Sequence, residues 1–383
     1  MNAVVMIVGG IVEAVSSEIY LFSVGRVISG IASGAAINVC NVLISEISPT
    51  QMRGMFTTGL QVGVAFGSLA VTTVHYFVGY SSGWRILVGF PIVLGAAQFL
   101  LIPFTTRSPV WLVAHGLHDA AHKELKRLYR PCNTEAILNA MIAAHEEEVK
   151  ETAGINTWAA LFSKKYRMQL VIAVVLCSAQ QLCGINAVMY YSSSIFASAG
   201  VSDPRVGNTI VNLVRTSMIL VAAKIMDKFK RRTLLLTFMT LMAVASVGIV
   251  ISLTVSSPIL SVLATGIYVG AFCLSIGPMA WMVTAEIFPD FLTANAGGIG
   301  TMCTWLGNLL VGVFYPTISK PSNLGNNAFF IFVGFLVAYV VFIYFKVPET
   351  AQKTFDEIQK EFNIEPEHAD EEEDGAKPDP WAT

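Results

Sequence analysis

The sequence predicts an all-α membrane protein. Of its 383 residues, 54% are hydrophobic and only 13% are charged, and the mean hydropathy is +0.62. About 20 apolar residues in a helix cross a hydrocarbon core of roughly 30 Å, and many such segments occur along the chain. They are too long, and too often interrupted by glycine, for a β-barrel, whose strands alternate over about 10 residues. A bundle of membrane-spanning helices is therefore the expected fold.

Ten apolar segments are expected to span the membrane, four before a long polar insert and six after it. The expected domains are a first bundle (1–105), a helical insert (106–167), a second bundle (168–346) and an acidic tail (347–383) that lacks apolar periodicity and is expected to be disordered. The ten segments lie near residues 3–22, 24–46, 55–78, 86–105, 168–196, 207–226, 233–255, 259–284, 292–316 and 326–346.

The distribution of basic residues predicts the orientation of the helices. Cytoplasmic connections carry an excess of Lys and Arg. Arg53, the insert and the 228–232 segment hold most of these residues, whereas the connections on the other side hold few, such as Arg85, Arg205 and Lys320. The insert and the tail are therefore expected to be cytoplasmic, with the plasma membrane as the expected location.

Enzyme chemistry is not expected. The chain shows no nucleophile and base set, metal cluster or phosphate loop. Its six cysteines have no zinc or disulfide spacing, and the histidines of the insert have no buried acid beside them. We expect no cofactor, no metal and no nucleic-acid partner. The expected partners are the lipid bilayer and a small-molecule substrate, and the sequence does not indicate an oligomeric state.

Several motifs in order and spacing resemble one family. They are "GRVISG" at 25–30, "SEISPTQMRG" at 45–54, "QQLCGINAVMYYSSSIF" at 180–196, "DKFKRR" at 227–232, "GPMAWMVTAEIFP" at 277–289 and "VPET" at 347–350. The chain resembles the sugar porters of the major facilitator superfamily, in particular the facilitative glucose transporters. The resemblance implies the major facilitator fold, with ten of its usual twelve helices. In that family the "GR" motif belongs to the fourth helix, so we expect Met1 to fall at the third helix and the first two helices to be missing from this sequence.

The polar stretch at 180–196 predicts a solute site at membrane depth. Sugar hydroxyls both donate and accept hydrogen bonds, so a sugar site needs amides and aromatic faces. Asn186 and Tyr190 are one helical turn apart and can share a face. The resemblance implies that the cavity is lined by Gln61, Gln180, Gln181, Asn186, Trp281, Trp305 and Asn308.

Arg215 departs from the family pattern, since the glucose transporters carry an asparagine there. A cation in the pocket would favour an anionic solute, but Arg215 can also lie outside the pocket. Cys273 stands where a glutamate is common, and Thr304 where an asparagine is usual. The motif is intact while the identity of the solute stays open.

The resemblance also implies a cytoplasmic gate of charged helix ends. Opposite charges at the family's gate positions are expected to pair in one state and separate in the other. Arg107, Val110, Lys230 and Thr293 replace residues of that network, which predicts a weakened gate. The expected gate residues are Arg26, Glu46, Arg53, Asp227, Arg231, Arg232 and Glu286.

Transport of a hexose or related polyol by alternating access is the predicted function. Two alternatives stay open from the sequence: a non-transporting solute sensor or regulator with the same fold, and an organic-anion or acid-sugar carrier. Glu13 is the one obvious carboxylate well inside an apolar segment, and the coupling acid of proton-linked porters belongs to the absent first helix. The sequence therefore does not decide between uniport and proton symport.

Overall fold

The computed structural model describes residues 1–48, 53–78, 83–129, 133–152, 154–200, 202–226, 228–351, 353 and 355–362. Within these ranges the regular structure is helical and contains no β-strand. The chain divides into two compact units, formed mainly by Met1–Ala153 and Gly154–Gly375. Asp227, an expected gate residue, lies outside the described ranges.

The first unit begins with four apolar helices, as expected. They are α1 (Asn2–Val15), α2 (Ile19–Ile47), α3 (Arg53–Val78) and α4 (Trp84–Leu101), and a 3₁₀ turn at Ile102–Phe104 extends α4. The first helix ends at Val15, earlier than the expected boundary near residue 22. Ser16 has an extended backbone and its hydroxyl donates to the Glu13 carbonyl at 2.8 Å, which closes the last turn of α1.

Three helices of the insert also belong to the first unit. They are α5 (Pro109–Ala114), α6 (His118–Leu128) and α7 (Thr134–Thr152). Helices α6 and α7 coincide with two stretches whose amphipathic pattern and mixed charge predict helices, "AHKELKRLYR" at 121–130 and "TEAILNAMIAAHEEEVKE" at 134–151. Their apolar faces form a small separate core that includes Leu112, Leu125 and Ile137. The Tyr129 hydroxyl donates to the Ile47 carbonyl at 2.7 Å and fixes this core to the end of α2.

The second unit contains the remaining helices and one extensive apolar core. It begins with α8 (Thr157–Leu161), so the insert is divided between the two units. The membrane helices and a last short helix follow, namely α9 (Arg167–Leu182), α10 (Ile185–Ser198), α11 (Pro204–Ile225), α12 (Arg231–Val255), α13 (Pro258–Cys273), α14 (Ile276–Ile287), α15 (Asp290–Ile318), α16 (Phe329–Lys346) and α17 (Phe355–Glu361). A 3₁₀ turn at Gly325–Ala328 precedes α16.

Two of the expected spans are interrupted helices. The segment expected at 168–196 consists of α9 and α10, and the segment expected at 259–284 consists of α13 and α14. Interrupted helices are tolerated at membrane depth where neighbouring protein groups satisfy the freed backbone atoms. These two interruptions carry the polar motifs that the sequence singles out.

Seven helical stretches of the described chain are long and apolar enough to cross a membrane, by length and composition. The other expected segments are helical as well: α1 has 14 residues, and α3 and α11 occupy the expected third and sixth positions. The seven stretches are Ile19–Ile47, Trp84–Phe104, Arg167–Ser198, Arg231–Val255, Pro258–Ile287, Phe291–Ile318 and Gly325–Lys346.

Candidate solute site and gate

The motif at 180–196 folds around a break between α9 and α10, which we call the first break and define as Cys183 and Gly184. Gly184 has φ +97°, a left-handed conformation that L side chains rarely adopt. A Cβ atom at Gly184 would lie 2.5 Å from Cγ of Phe332, so the Phe332 ring covers the turn closely. The first break thus places the glutamine pair in the last turn of α9 and Asn186 in the first turn of α10.

Three amide side chains form a hydrogen-bonded row across the first break, which we call the amide row. Gln181 Nε2 donates to Gln180 Oε1 at 3.3 Å, and Asn186 Nδ2 donates to Gln181 Oε1. Gln180 is buried, while Gln181 and Asn186 are half-buried. Because each amide has two N–H donors and an oxygen with two lone pairs, the row retains capacity for the hydroxyls of a solute.

A second break separates α13 from α14 at Leu274 and Ser275. Ser275 has an irregular backbone (φ −130°, ψ −114°), and its hydroxyl donates to the Ala271 carbonyl at 2.7 Å. Gln180 of the amide row donates through Nε2 to the carbonyl of Gly277, just beyond this break. Trp281 follows on α14, half-buried. The two breaks therefore meet through a residue of the candidate site.

Helix α15 brings the next polar and aromatic groups to the site. Asn308 accepts a hydrogen bond from the Tyr190 hydroxyl at 3.1 Å. Trp305 is three residues earlier on the same face of α15, and its side chain is 51% exposed. A Cβ atom at Gly307 would lie 3.0 Å from Cβ of Gln181, so α15 approaches α9 closely at the amide row. Seven of the predicted site residues, all in the second unit, thus lie on α9, α10, α14 and α15 around the two breaks.

Two departures from the family pattern serve the packing of the second unit. The Thr304 hydroxyl donates to the Cys177 carbonyl at 3.2 Å and is buried. Cys273 is also buried, and its thiol contacts the Arg215 carbonyl at 3.8 Å. Arg215 is half-buried on α11 beside the end of α13. Its contact with a solute therefore stays a prediction.

Gln61 is the one predicted solute ligand of the first unit. It lies on α3 and is half-buried. Its place in the solute site stays a prediction.

The gate residues of the second unit surround the beginning of α12. The backbone N–H groups of Arg231 and Arg232 donate to the two carboxylate oxygens of Glu349, at 2.8 and 3.2 Å. Arg231 Nη2 lies 3.4 Å from Glu286 Oε1, and the Arg232 guanidinium lies over the Tyr344 ring at 5.5 Å. The sequence did not indicate Glu349 as a gate residue, although the "VPET" motif that contains it matches the family pattern.

Of the three gate residues expected in the first unit, Arg26 lies away from the other two. Arg26 and Glu46 lie twenty residues apart on α2, about 30 Å of helix, and therefore at opposite ends. Arg26 Nη1 instead lies 3.6 Å from Glu13 Oε2 of α1. Glu46 is half-buried, and Arg53 begins α3 with a side chain outside the described part of the structure. Arg26 thus belongs to a different end of the unit from the other two.

The first part of the acidic tail contains helix α17 (Phe355–Glu361), which contacts the second unit. Helix α17 packs with Ile358 buried, and Gln359 Nε2 donates to the Ile287 carbonyl at 3.1 Å. Gln169 Nε2 of α9 donates to Gln359 Oε1 at 2.9 Å, and both glutamines are buried. The tail beyond residue 362 lies outside the described ranges.

Comparison with known proteins agrees with this arrangement. The family described as "Sugar (and other) transporter" matches residues 1–362. The facilitated glucose transporter member 3 of Canis lupus familiaris is 31% identical over 370 residues, which cover 94% of this chain and 74% of that protein. The same member in Oryctolagus cuniculus is 32% identical over 358 residues, 91% of this chain and 72% of that protein.

Solved structures show the same fold. The major facilitator superfamily proton:xylose symporter XylE bound to 6-bromo-6-deoxy-D-glucose aligns with a TM-score of 0.77 and 25% identity, over 94% of this chain and 81% of that chain. An inward-open structure of XylE from E. coli aligns with a TM-score of 0.78 and 24% identity, over 94% and 80%. The chain therefore belongs to the sugar (and other) transporter family, and it is a multi-pass membrane carrier of the major facilitator superfamily that transports sugar and is not an enzyme.

Proposed function

We propose that this carrier moves a neutral hexose or a related polyol by alternating access. The observation that supports this solute class is the amide row at the first break, because amides can exchange hydrogen bonds with hydroxyls that have lost their water. One relative is named a facilitated glucose transporter, and one structural neighbour was solved with 6-bromo-6-deoxy-D-glucose bound.

The remaining site residues have defined roles in this proposal. Trp305 and Trp281 offer aromatic faces to the apolar side of a sugar ring, and the Tyr190 hydroxyl and the Asn308 amide extend the hydrogen-bonding surface. Gln61 supplies a further amide from the first unit.

The gate and the orientation complete the proposal. Glu349, Glu286 and Arg231 form a charged cluster that is made and broken as the site changes the side to which it is open. By the distribution of basic residues this cluster, the insert and the tail face the cytoplasm, and the plasma membrane is the proposed location.

Uptake into proteoliposomes tests the proposal. The purified protein is expected to accumulate radiolabelled D-glucose faster than L-glucose, with competition by other hexoses and polyols. Gln181→Leu leaves the Asn186 amide without its acceptor and is expected to raise KM roughly tenfold. Asn323→Ala, an exposed amide on the connection after α15, is the matched control and is expected to leave KM unchanged.

The alternatives from the sequence become outcomes of the same experiment. Binding of D-glucose without flux contradicts the carrier proposal and supports a sensor. Uptake of a sugar acid such as glucuronate but not of D-glucose, lost in Arg215→Asn, supports the anion carrier. Stereoselective D-glucose uptake that Arg215→Asn leaves unchanged supports the neutral-solute proposal.

A further inference from the structure

A residue of α13 that is not a predicted solute ligand binds the backbone of the first break. The hydroxyl of Tyr268 donates to the carbonyl of Cys183 at 2.7 Å. Tyr268 is completely buried on α13, five residues before that helix ends at the second break. Helix α13 therefore contacts the first break through Tyr268 and forms the second break at its own end.

The Cys183 carbonyl is a sensitive point of the backbone. Carbonyls at a helix C-terminus lack partners within the helix, and a buried carbonyl needs a donor from elsewhere. This carbonyl belongs to the peptide unit between Cys183 and Gly184, which joins the glutamine pair of α9 to Asn186 of α10. The orientation of that peptide unit therefore sets the position of the glutamine pair relative to Asn186.

A second hydrogen bond connects the end of α9 to the beginning of α14. Gln180 Nε2 donates to the Gly277 carbonyl beyond the second break, while Tyr268 reaches from α13 to the first break. The two breaks are thus joined by one bond on each side, and the Phe332 ring packs over Gly184. Both bonds are made by side chains that are buried in the second unit, Gln180 and Tyr268.

We infer that Tyr268 is a positioning residue that sets the affinity of the amide row for the solute by locking the two breaks into one unit. The inference rests on the proposed function, since it assigns the amide row to solute binding. The Tyr268 hydroxyl does not contact the solute in this inference; it acts through the Cys183 carbonyl. In this inference, solute binding to the amides also changes the backbone geometry at the beginning of α14.

The Tyr268→Phe variant tests the inference because it keeps the ring and removes only the hydroxyl. In proteoliposomes we expect KM for D-glucose to rise about three- to tenfold, the range expected for one lost hydrogen bond, with maximal flux changed much less. The matched control is Tyr129→Phe, which removes a Tyr hydroxyl bond to a backbone carbonyl of the same length, 2.7 Å, in the first unit. Its KM is expected to stay at the wild-type value.

Hydrogen exchange gives a readout that does not depend on the solute. In detergent, the Tyr268→Phe variant is expected to exchange faster in peptides covering residues 183–188 and 275–279, and unchanged in peptides from the middle of α12. An unchanged KM in Tyr268→Phe, with normal wild-type uptake, overturns the positioning role even if exchange is faster. Unchanged exchange at both breaks overturns the coupling. If the wild type moves no D-glucose, the proposed function fails, and the exchange comparison still decides whether Tyr268 couples the breaks.

Discussion

The Glu13 carboxylate and the Arg26 guanidinium form an ion pair between α1 and α2, with Oε2 and Nη1 3.6 Å apart. Glu13 is 1% exposed, whereas the Arg26 side chain is 65% exposed. Among the described residues the other carboxylate oxygen of Glu13 has no hydrogen-bond partner. Arg26 is therefore the group that compensates the buried negative charge, and the pair lies near the beginning of α2, away from Glu46.

Neutralising Glu13 is expected to destabilise the first unit. Glu13→Gln leaves the Arg26 charge without its carboxylate in an apolar segment, and we expect a loss of about 1–2 kcal/mol, reduced from the buried-pair range because Arg26 is exposed. Thermal unfolding in detergent measures the effect. Glu18→Gln, an exposed carboxylate five residues away, is the control and should change little. A double variant with Arg26→Gln should recover part of the loss; strict additivity of the two changes would contradict the pairing.

Replacing Gly184 is expected to disrupt the solute site. Gly184→Ala forces a side chain into a left-handed conformation, which costs roughly 1–2 kcal/mol, and places Cβ against the Phe332 ring. We expect low yield of folded protein and little D-glucose uptake. Gly298→Ala on α15 is the matched control, because open space surrounds that position. Equal yield and uptake for the two variants would contradict the close packing at the first break.

The local features of the fold were predictable from the sequence. Apolar length and periodicity located the spans, and the amphipathic patterns located α6 and α7. The polar residues of 180–196 were singled out because hydrogen-bonding groups are costly at membrane depth, and their role as a solute site stays a prediction. The break within that motif was not expected, because a single glycine such as Gly184 is a weak signal for a helix interruption. The left-handed φ of Gly184 and its close contact with Phe332 became evident only from the structure.

The features that were missed depend on contacts between distant parts of the chain. Glu349 binds the backbone of Arg231, 118 residues earlier, and Gln359 binds Gln169, 190 residues earlier. Hydrophobic periodicity reports the environment of a helix face and does not report which polar groups meet at helix ends. Arg26 was assigned to the gate from a family motif, and its actual partner, Glu13, became evident only from the packing of α1 on α2.

The stabilisation that Asp203 gives to the start of α11 is expected to be lost only in acid. The Arg205 guanidinium donates to both carboxylate oxygens of Asp203 at 3.1 Å, the Arg205 backbone N–H donates to Oδ1 at 3.0 Å, and these contacts lower the pKa of the Asp203 carboxyl. A lowered pKa in the folded state means that the stabilisation is fully present above the unfolded value of about 3.9 and is lost as the pH falls through the folded value. The thermal unfolding midpoint of Asp203→Asn should therefore lie below the wild type by a constant amount at pH 5 and pH 7, and the gap should shrink below pH 4. A gap that grows with acidity would contradict this assignment.

Glu349 is expected to contribute more to the gate than its single charge suggests. Its two oxygens accept the first N–H groups of α12, where the helix dipole favours a negative charge, and one oxygen also accepts from the Ala351 N–H at 3.0 Å. Glu349→Ala should cost about 1–2 kcal/mol in stability through the lost cap.

The same variant should also change transport, because in the proposed gate a weakened charged cluster favours the state in which it is broken. We expect a lower maximal flux of D-glucose with a KM close to the wild type, since the amide row is not touched. Glu361→Ala, which removes the surface ion pair with Lys353 near the end of α17, is the matched control and should alter stability by less than about 0.5 kcal/mol. Equal effects of the two variants on flux would show that the cap at α12 has no special part in gating, whereas a selective loss in Glu349→Ala would place a residue of the "VPET" motif in the gate.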